Sequence, residues 1–483
     1  MSNPYPIIGL EVHIQLKTET KAFCRCQNVY GGIPNTRVCQ LCLGMPGALP
    51  VINEEVVNSA IMAGLSFNCS IRKVTKFDRK NYMYPDLPKG YQISQHDQPL
   101  AVNGFLEIEM EEQLESKKIR INRIHMEEDA GKLIHLERDG AAACSLIDYN
   151  RSGIPLLEIV TEPDIQSSQE AIYFLQKLRS IVQYLGVCDG NLEKGSMRCD
   201  ANISIREENS DRLGTKTEIK NMNSFKAIKE ALDYEVMRQR KLIEQGEKVS
   251  QETRRWDEVS GKTIFMRSKE KAQDYRYFPE PDLLPLAIEQ SWIDAIKKNI
   301  PELPAERKER FMVDYHLSGY DANRLVEVKP LGDYFEKAAK SYNNYKKLAN
   351  WILGELLHHL GEENIGIEES PVSPSALIEL LKLIDQDIIS VKIAKNIFEQ
   401  MFKTSQSAVV LVQNSGFTQI SNEKEIDGII KMVLKDNPDT VQDFVSGKEK
   451  AIHFLVGQVM RHTKGRAQPD MVLNLIKERI TKI

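Results

Sequence analysis

The spacing of hydrophobic residues changes once along this chain, from every second position to every third or fourth. Up to about residue 295, the segments GFLEIEM, KIRINRIHM and GSMRCDANISIR alternate apolar and polar side chains, which is typical of half-buried strands. Beyond NIPELP (299–304), the apolar residues recur with the period of an α-helix. The change of period predicts an α+β fold in which the strands come first and an all-helical part follows.

Two segments within the first part have helical periodicity. Residues 167–186 and 223–246 carry apolar stripes at helical spacing, and each begins beside a Ser or Asn, residue types that cap helix N-termini. They end at Gly186 and Gly246, and glycine is the residue that most often terminates a helix. The sequence therefore predicts two capped helices inserted among the strands.

The length of the chain sets the number of domains. A chain of 483 residues is too long for one compact core, and roughly two to four domains are expected. The pattern breaks at NIPELP and again in a weakly patterned segment that follows Thr404. We therefore predict three domains, which are residues 1–295 with the strands, residues 296–405 with helices, and residues 406–483 as a small helical tail.

Composition narrows the classes of function. The net charge is −5, so a nucleic-acid partner would have to bind local basic patches. The N-terminal segment lacks the features of a signal peptide, and no apolar run approaches the roughly 20 residues of a membrane-spanning helix. Four of the eight cysteines crowd into residues 24–42, unlike a disulfide framework. We expect a protein of the reducing cytoplasm.

The strand predicted for GLEVHIQL has two different faces. Its apolar residues point to one side while Glu11 and His13 point to the other, because successive side chains of a strand alternate. Side chains two positions apart are separated by roughly 7 Å along a strand. This spacing suits two ligands of one cation, or a ligand beside a proton-transfer group. A solvated strand edge with two ordinary polar side chains is the alternative.

Two further segments add carboxylates in unusual surroundings. These are Glu127, Glu128 and Asp129 beside His125, and Glu158 and Glu162 in LLEIVTEPD. A glutamate within an apolar run, such as Glu158, is costly to bury unless a cation or a donor neutralises it. Carboxylates from separate strands can converge on a divalent ion; Mg²⁺ prefers oxygen ligands, and His13 would also suit Mn²⁺. The sequence therefore predicts a divalent-metal site built from several strands.

Four cysteines form a CxC…CxxC pattern, at Cys24, Cys26, Cys39 and Cys42. Two such knuckles joined by a turn-rich segment are the usual framework of tetrahedral structural zinc. A site closed by four thiolates has no open coordination position, so we assign it a structural role. A redox pair or unrelated core thiols are the alternatives. The other cysteines are expected in the core, and they are Cys69, Cys144, Cys188 and Cys199.

Further polar segments point to phosphate or nucleotide contact. Arg198 and Asp200 lie on one strand face, where a guanidinium could clamp phosphate; a salt-bridged solvent face is the alternative. Residues 77–95 mix charged side chains with tyrosines, which favours a ligand contact. The sequence has no GxxxxGKS/T motif, so an ATP site would not be a P-loop. Neither GxSxG nor a cysteine in a recognisable glutaminase context is present.

The end of the chain is basic although the whole chain is acidic. Residues 446–483 contain eight Lys or Arg against three acidic residues. A basic helical tail predicts contact with a phosphate backbone. Solvated helix faces are the alternative. The candidate residues for this contact are Lys448, Lys450, Arg461, Lys464 and Arg466.

A series of long motifs resembles the GatB family, the B subunits of bacterial aspartyl/glutamyl-tRNA amidotransferases. The motifs are GLEVHIQL, FDRKNYMYPDLPKGYQISQ, HMEEDAGK, DYNRSGIPLLEIVTEPD, GSMRCDANISIR, EIKNMNSF, QETRRWDE and DYRYFPEPDL. They occur in order, and the similarity covers nearly the whole chain, tail included. The resemblance implies a cradle-like catalytic domain built on an antiparallel sheet, followed by a helical domain and the tail.

The resemblance also implies a reaction and partners. In this family, the B subunit works with an amidase (A) subunit and a small (C) subunit as a heterotrimer. The complex is a ligase that converts Glu-tRNA(Gln) to Gln-tRNA(Gln), or Asp-tRNA(Asn) to Asn-tRNA(Asn), and the sequence leaves open which is the physiological substrate. ATP with Mg²⁺ phosphorylates the side-chain carboxylate, and ammonia from the amidase displaces the phosphate.

The resemblance assigns roles by motif position. His13, Glu128 and Glu158 are implied to hold Mg²⁺, with Glu11 as a further ligand or a base, and with Lys80 in the same pocket. The helical domain and basic tail would grip the tRNA, and zinc on the four cysteines would stabilise the fold.

Arg198 and Asp200 would line either the nucleotide pocket or an ammonia tunnel. A non-catalytic, zinc-containing scaffold that only presents tRNA to an enzyme is the competing hypothesis for the chain. It accounts for the cysteines and the basic tail. It does not account for the acidic residues on three strands, because RNA binding gains nothing from buried carboxylates. Catalysis is therefore the preferred interpretation.

Overall fold

The computed structural model describes residues 4–110, 116–138, 141–206, 212–268, 275–415, 423–446, 448, 450–463, 467 and 469–480. The chain separates into two compact units, residues 1–304 and residues 305–483. The first unit combines helices with a mostly antiparallel sheet, and the second is helical. The predicted α+β class, with an antiparallel sheet first and helices afterwards, is confirmed.

The first unit is built around one large sheet. Its elements are β1 (Tyr5–Gln15), α1 (Glu54–Ser66), β2 (Ser70–Ile71), β3 (Val74–Thr75), β4 (Asp78–Asn81), β5 (Tyr91–Ser94), β6 (Ala101–Glu109), β7 (Ser116–Glu128), β8 (Lys132–Arg138), β9 (Ala141–Asp148), β10 (Pro155–Thr161), α2 (Ser168–Tyr184), β11 (Met197–Arg206), β12 (Thr217–Lys220), α3 (Phe225–Glu244), β13 (Glu252–Asp257), β14 (Lys262–Ser268), β15 (Phe278–Pro279), β16 (Leu286–Ala287) and α4 (Gln290–Lys298).

Nine of these strands pair in the order β14–β13–β12–β11–β1–β10–β7–β6–β2. Neighbours are antiparallel except β12 and β13, which are parallel. The remaining strands form three small sheets, β15–β4–β5, β16–β3 and the hairpin β8–β9. The first strand of the chain, β1, is therefore the central strand of the large sheet.

The two faces of β1 have opposite surroundings. Leu10, Val12 and Ile14 are fully buried in a core that also contains side chains of α1, α2 and α3. Burial of each such side chain contributes about 1.5–3 kcal/mol to stability. Glu11 and His13, on the opposite face, remain partly exposed. The helices thus cover one face of the sheet and leave the polar face open.

The two helices predicted within the first unit are confirmed. The hydroxyl of Ser167 accepts a hydrogen bond from Glu170 N at the start of α2, and Ser224 accepts one from Ala227 N at the start of α3. These side chains satisfy backbone N–H groups that have no partner within the first helical turn. After each helix the chain turns at a glycine with positive φ, at Gly186 and Gly246.

The second unit consists of helices. They are α5 (Pro304–Asp314), α6 (Gly319–Val326), α7 (Lys329–Ala339), α8 (Tyr345–Trp351), a π-helical segment (Ile352–Leu356), α9 (Leu357–Glu363), a 3₁₀ turn (Ile367–Glu369), α10 (Pro374–Asp385), α11 (Val391–Thr404), α12 (Ala408–Ser415), α13 (Glu423–Asp436), α14 (Pro438–Val445), α15 (Ala451–His462) and α16 (Pro469–Ile480). Across the described residues, no helix combines the length and the apolar character needed to cross a membrane.

Two separate hydrophobic cores occupy the second unit. One extends from Phe311 to Val412, and the other from Ile426 to Ile480. Helix α12 belongs to the first core, because it packs on α10 and α11 through Ala408 and Leu411. The core therefore changes between α12 and α13, later than the break in the sequence pattern near residue 406. The division of the chain into three domains stays a prediction.

Candidate active site

A cavity of about 650 Å³ lies against the polar face of the large sheet. Its walls include side chains from β1, β4, β5, β7, β10, β11, β12 and β14, together with residues that follow β5 and precede β15. Glu11 and His13 lie in this wall because β1 is the central strand and the helices cover the other face. Four of the five candidate catalytic residues line this cavity, and they are Glu11, His13, Lys80 and Glu158.

The register of four strands places charged side chains in one row across the sheet. His13 on β1 is opposite Glu158 on β10 and Arg198 on β11, and Glu158 is in turn opposite His125 on β7. Side chains directly opposite one another on the same face of a sheet are close enough to interact. His13 Nε2 lies 3.2 Å from Glu158 Oε2, and His125 Nε2 lies 3.3 Å from the same oxygen.

Glu127 completes a cluster with two of these residues. Its Oε1 lies 3.4 Å from His13 Nε2, and the hydroxyl of Ser94 donates to its Oε2 at 3.3 Å. Single ligand atoms of His13, Glu127 and Glu158 all lie within 4.8 Å of one another. We refer to these three residues as the acidic site. Two carboxylate oxygens and one imidazole nitrogen suit a divalent cation that keeps open positions for water or phosphate.

The structure places the Glu128 carboxylate apart from this cluster. Glu127 shares its face with His125, whereas Glu128 points to the other side because side chains alternate along β7. The Glu128 carboxylate forms a salt bridge with Lys89 and accepts a hydrogen bond from Ile93 N at 2.9 Å. Counting by two from His125 would have selected Glu127 from the sequence.

Burial and mutual attraction shift the pKa values of the cluster. Burial acts to lower the pKa of His125, but the charge of Glu158 and hydrogen bonds to both glutamates raise it to about 9. The pKa of His13 is also raised, because the hydrogen bond and charge of Glu158 outweigh its burial. Burial acts to raise the pKa of Glu158, yet the charge of His125 holds it well below its usual range. The negative potential that retains these protons would equally attract a cation.

Lys80 brings positive charge to the same cavity. Its ammonium lies 5.1 Å from the centre of the Tyr275 ring, in the lining of the cavity. Burial acts to lower the pKa of Lys80, but the charge of Glu127 raises it above its usual value. On the far side, Lys220 forms salt bridges with Asp200 and Glu218. The cavity thus has an acidic centre flanked by two lysines.

The other predicted polar residues are held by partners. Arg198 Nη2 lies 3.2 Å from Asp129 Oδ2, and Asp200 is bound by Lys220. Both lie on the cavity side of β11, each as a member of a separate salt bridge. Glu11 accepts a hydrogen bond from Asn202 Nδ2 at 2.8 Å, and it lines the cavity beside the acidic site.

An aromatic group forms part of the cavity wall. The rings of His96 and Tyr277 stack with their centres 4.1 Å apart, and Tyr275 lies edge-on to Tyr277 at 6.1 Å. The motif DYRYFPEPDL contains both tyrosines, but the sequence does not indicate that they lie in the same cavity as β1. The pairing of β15 with β4 brings this segment beside Lys80 of β4, and this pairing has no local sequence signal.

The four cysteines converge as their spacing predicts. The Cys42 sulfur lies 3.7 Å from that of Cys24, 3.8 Å from that of Cys39 and 3.9 Å from that of Cys26. Zinc–sulfur bonds of about 2.3 Å in a tetrahedron place the sulfurs roughly 3.8 Å apart, so the donor set fits zinc. A hydrogen bond from Cys24, together with the nearby charge of Lys21, lowers the pKa of the Cys42 thiol.

The remaining cysteines are single residues. Cys69, Cys188 and Cys199 are buried, as expected for core positions. Cys144 is exposed, so its expected place in the core is wrong. It lies on the hairpin β8–β9, which pairs only with itself among the described strands and is separate from the large sheet. Alternation in a two-stranded hairpin therefore does not imply a buried face.

Three of the candidate basic residues of the tail lie at or near the ends of α15. Lys448 and Lys450 are exposed just before this helix, and Arg461 is exposed in its last turn. Lys448 Nζ lies 2.9 Å from Asp443 Oδ1, which offsets part of its charge. Lys464 and Arg466 lie outside the described residues. The described basic residues are thus accessible to a partner.

Comparison with known proteins covers both units. Residues 6–294 match the family described as the GatB/GatE catalytic domain, and residues 333–480 match the family described as the GatB domain. The chain is 51% identical over 477 residues to the B subunit of the aspartyl/glutamyl-tRNA(Asn/Gln) amidotransferase of Carboxydothermus hydrogenoformans, with 99% of each chain covered.

Two further relatives carry the same name. The protein of Thermotoga maritima is 51% identical over 476 residues, with 98% of each chain covered. That of Thermodesulfovibrio yellowstonii is 53% identical over 470 residues, covering 97% of this chain and 98% of its own. The similarity extends through the acidic site, the four cysteines and the helical unit, and this chain therefore belongs to the GatB family of tRNA amidotransferase B subunits.

Proposed function

We propose that this chain binds misacylated tRNA and ATP, and that it performs phosphorylation and amidation in a glutamine-dependent tRNA amidotransferase. The observation that carries the proposal is the acidic site, which faces a cavity large enough for part of a nucleotide and beside which Lys80 lies. The substrates would be Glu-tRNA(Gln), Asp-tRNA(Asn) or both, in keeping with the names of the relatives. Such a ligase would act in the cytoplasm, where tRNA is used.

The reaction needs two displacements. The side-chain carboxylate of the aminoacyl group attacks the γ-phosphorus of ATP, and ADP leaves. Ammonia then attacks the acyl carbon, and inorganic phosphate leaves as the amide forms. The first step brings two anions together, so cations must neutralise them. Lys80 and Lys220 lie where they could approach phosphate oxygens in the cavity.

His13, Glu127 and Glu158 would hold Mg²⁺ in this cavity. The bound ion would neutralise phosphate charge and polarise the phosphoryl group. Glu11 is not among the residues whose ligand atoms converge in the acidic site, and Asn202 orients its carboxylate. We assign to Glu11 the role of a base that takes the proton lost by attacking ammonia.

Ammonia would come from a partner chain. The side chains that line the cavity include no cysteine in the part of the chain described, and a cysteine is one of the usual nucleophiles for glutamine hydrolysis. We propose the amidase (A) subunit as the source and the small (C) subunit as the third member of the complex. Free ammonia and an acyl phosphate are both lost to bulk water, which favours a closed path between the partners.

The four cysteines and the basic tail would have supporting roles. Zinc on the cysteines would stabilise the segment between β1 and α1. Lys450, Arg461 and their neighbours would contact the phosphates of the tRNA body. The competing scaffold hypothesis explains both features. It leaves the acidic site without a role, because carboxylates repel an RNA backbone, and we therefore do not favour it.

Substitution of the acidic site should change the requirement for Mg²⁺. In the reconstituted complex, Glu127→Gln and Glu158→Gln should lower the rate of amide formation by roughly 10²-fold or more. They should also raise the Mg²⁺ concentration needed for half-maximal rate, because each removes a charged ligand. Amide formation measured across a Mg²⁺ titration, with tRNA affinity measured in parallel, checks this.

Two glutamates serve as controls for this titration. Glu162→Gln should behave like the unaltered complex, since its carboxylate accepts a hydrogen bond from Asn122 outside the acidic site. Glu128→Gln should leave the Mg²⁺ requirement unchanged whatever its effect on rate, because Lys89 holds that carboxylate on the other face. A shift for Glu128→Gln without one for Glu127→Gln would contradict the assignment.

The cysteine cluster should retain one zinc ion per chain. Cys39→Ser/Cys42→Ser should lose the metal and unfold at a lower temperature, because a structural zinc site contributes its binding free energy to folding. Cys144→Ser removes an exposed thiol outside the cluster and should keep both metal and stability. Elemental analysis gives the zinc content, and thermal unfolding gives the stability, of the unaltered chain and the two variants. Absence of zinc from the freshly purified unaltered chain would rule out the site.

The tail should contribute affinity for tRNA that depends on salt. Lys450→Gln/Arg461→Gln should weaken tRNA binding and reduce the slope of log affinity against log salt by roughly 1–2. Lys226→Gln/Lys229→Gln removes the same charge from exposed positions of α3 and should leave both quantities unchanged. Identical salt slopes for the two double variants would show that the tail does not contact the phosphates of the tRNA.

A further inference from the structure

Lys21 is a completely buried lysine beside the four cysteines. Its side chain has 0% exposure, which is rare for a residue that carries a full charge. Its ammonium donates to Arg37 O at 2.9 Å, to Tyr149 O at 3.3 Å and to the Cys42 sulfur at 3.4 Å. An ammonium has three protons to donate, so these contacts use its full capacity.

The charge of Lys21 needs a negative partner. Two of its three acceptors are neutral carbonyls, and a buried ammonium is strongly destabilising unless an opposite charge offsets it. A neutral thiol at Cys42 would supply no such charge. Four thiolates around one Zn²⁺ leave a net double negative charge, and Lys21 would offset half of it. The metal-bound thiolates would therefore supply the negative charge that the buried lysine requires, and the lysine would reduce the net charge of the metal site.

We infer that Lys21 is the charge-compensating and positioning residue of the four-cysteine metal site, and that it ties this site to the turn that leads into β10. The inference rests on the zinc site proposed above and adds a residue to it. Ligands of a metal are commonly oriented by a surrounding shell of hydrogen bonds, and loss of such a partner weakens metal binding. Lys21 is that partner for Cys42.

Contacts of the same segment reach the turn at residues 149–154. Besides the bond from Lys21 to Tyr149 O, Ala22 N donates to Gly153 O at 2.9 Å, and the Ser152 hydroxyl donates to Cys42 O at 3.4 Å. These three bonds fix the turn from the side of the cysteines. The turn ends where β10 begins, three residues before Glu158 of the acidic site.

Gly153 lies between Lys21 and the carboxylate of Glu128. Its φ of +81° is in the left-handed region, and a Cβ there would lie 3.6 Å from Lys21 Cδ and 3.9 Å from Glu128 Oε2. Gly153 thus lies close both to the aliphatic part of Lys21 and to Glu128 at the end of β7. Loss of order at the cysteines would therefore disturb the end of β7, which carries Glu127, and the start of β10, three residues before Glu158.

Zinc affinity of a neutral variant tests the inference. Lys21→Met keeps the length of the side chain and removes its charge, and it should weaken zinc binding by roughly 10–100-fold in competition with a chelator. Lys17→Met removes an exposed lysine from the same segment and should bind zinc like the unaltered chain. Cobalt substituted for zinc gives a second readout, since its thiolate absorption bands report the geometry of the four sulfurs.

Unfolding in a metal-free background separates charge compensation from packing. In zinc-loaded protein Lys21→Met should lower the unfolding temperature. In a variant with all four cysteines changed to serine, Lys21→Met should raise it, because the lysine there is a buried charge without a partner. Should this variant fold poorly, Cys42→Ser alone provides the same comparison, because it removes the thiol to which Lys21 donates.

The possible outcomes separate failure of the zinc proposal from failure of the role assigned to Lys21. Zinc absent from the unaltered chain would remove the zinc proposal, and the role of Lys21 with it. Zinc present but bound equally by the Lys21→Met and Lys17→Met chains would overturn the role of Lys21 alone. Destabilisation of equal size with and without metal would assign Lys21 to packing. Opposite signs in the two backgrounds, with weaker zinc binding, are the result expected.

Discussion

The attraction between buried carboxylates and imidazoles on one face of the sheet is the interaction on which the site depends. Glu127 and Glu158 are largely withdrawn from water, and two such groups side by side repel each other unless cations lie between them. His13 and His125 supply that charge here. Because the histidines reach the glutamates from neighbouring strands, the pairing of β1, β10 and β7 determines the site. A divalent cation would replace protons that the cluster already holds.

The rest of the fold keeps this arrangement rigid. The helices α1, α2 and α3 bury the opposite face of the sheet, so a shift of β1 by one residue would expose Leu10 and Val12 and bury Glu11 and His13 in their place. The turn before β10 is anchored from the cysteine segment, and the end of β7 is anchored by Lys89 through Glu128. Groups that neutralise phosphate must be placed before the reaction to be effective.

The local sequence predicted the strands, the two capped helices and the convergence of the four cysteines, because each depends on residues close together in the chain. It also identified His13 and Glu158 as candidates. The choice of Glu128 came from the resemblance, whereas alternation from His125 selects Glu127, the residue that lies beside His13 and Glu158. Lys220, His96 and Tyr277 reach the cavity through pairings between distant segments, which no local pattern contains. The salt bridges of Arg198 and Asp200 likewise depend on partners from other strands.

The transfer of oxygen from substrate to phosphate tests the central claim most directly. A misacylated tRNA with ¹⁸O in its side-chain carboxylate would be incubated with the reconstituted complex, ATP, Mg²⁺ and an ammonium salt in place of glutamine. The unaltered complex should pass one labelled oxygen to inorganic phosphate for each amide formed. The Glu127→Gln complex should pass almost none, although in separate assays it should still hydrolyse glutamine and bind tRNA. Label transfer at the unaltered rate in that variant would contradict a phosphorylation site at the acidic site.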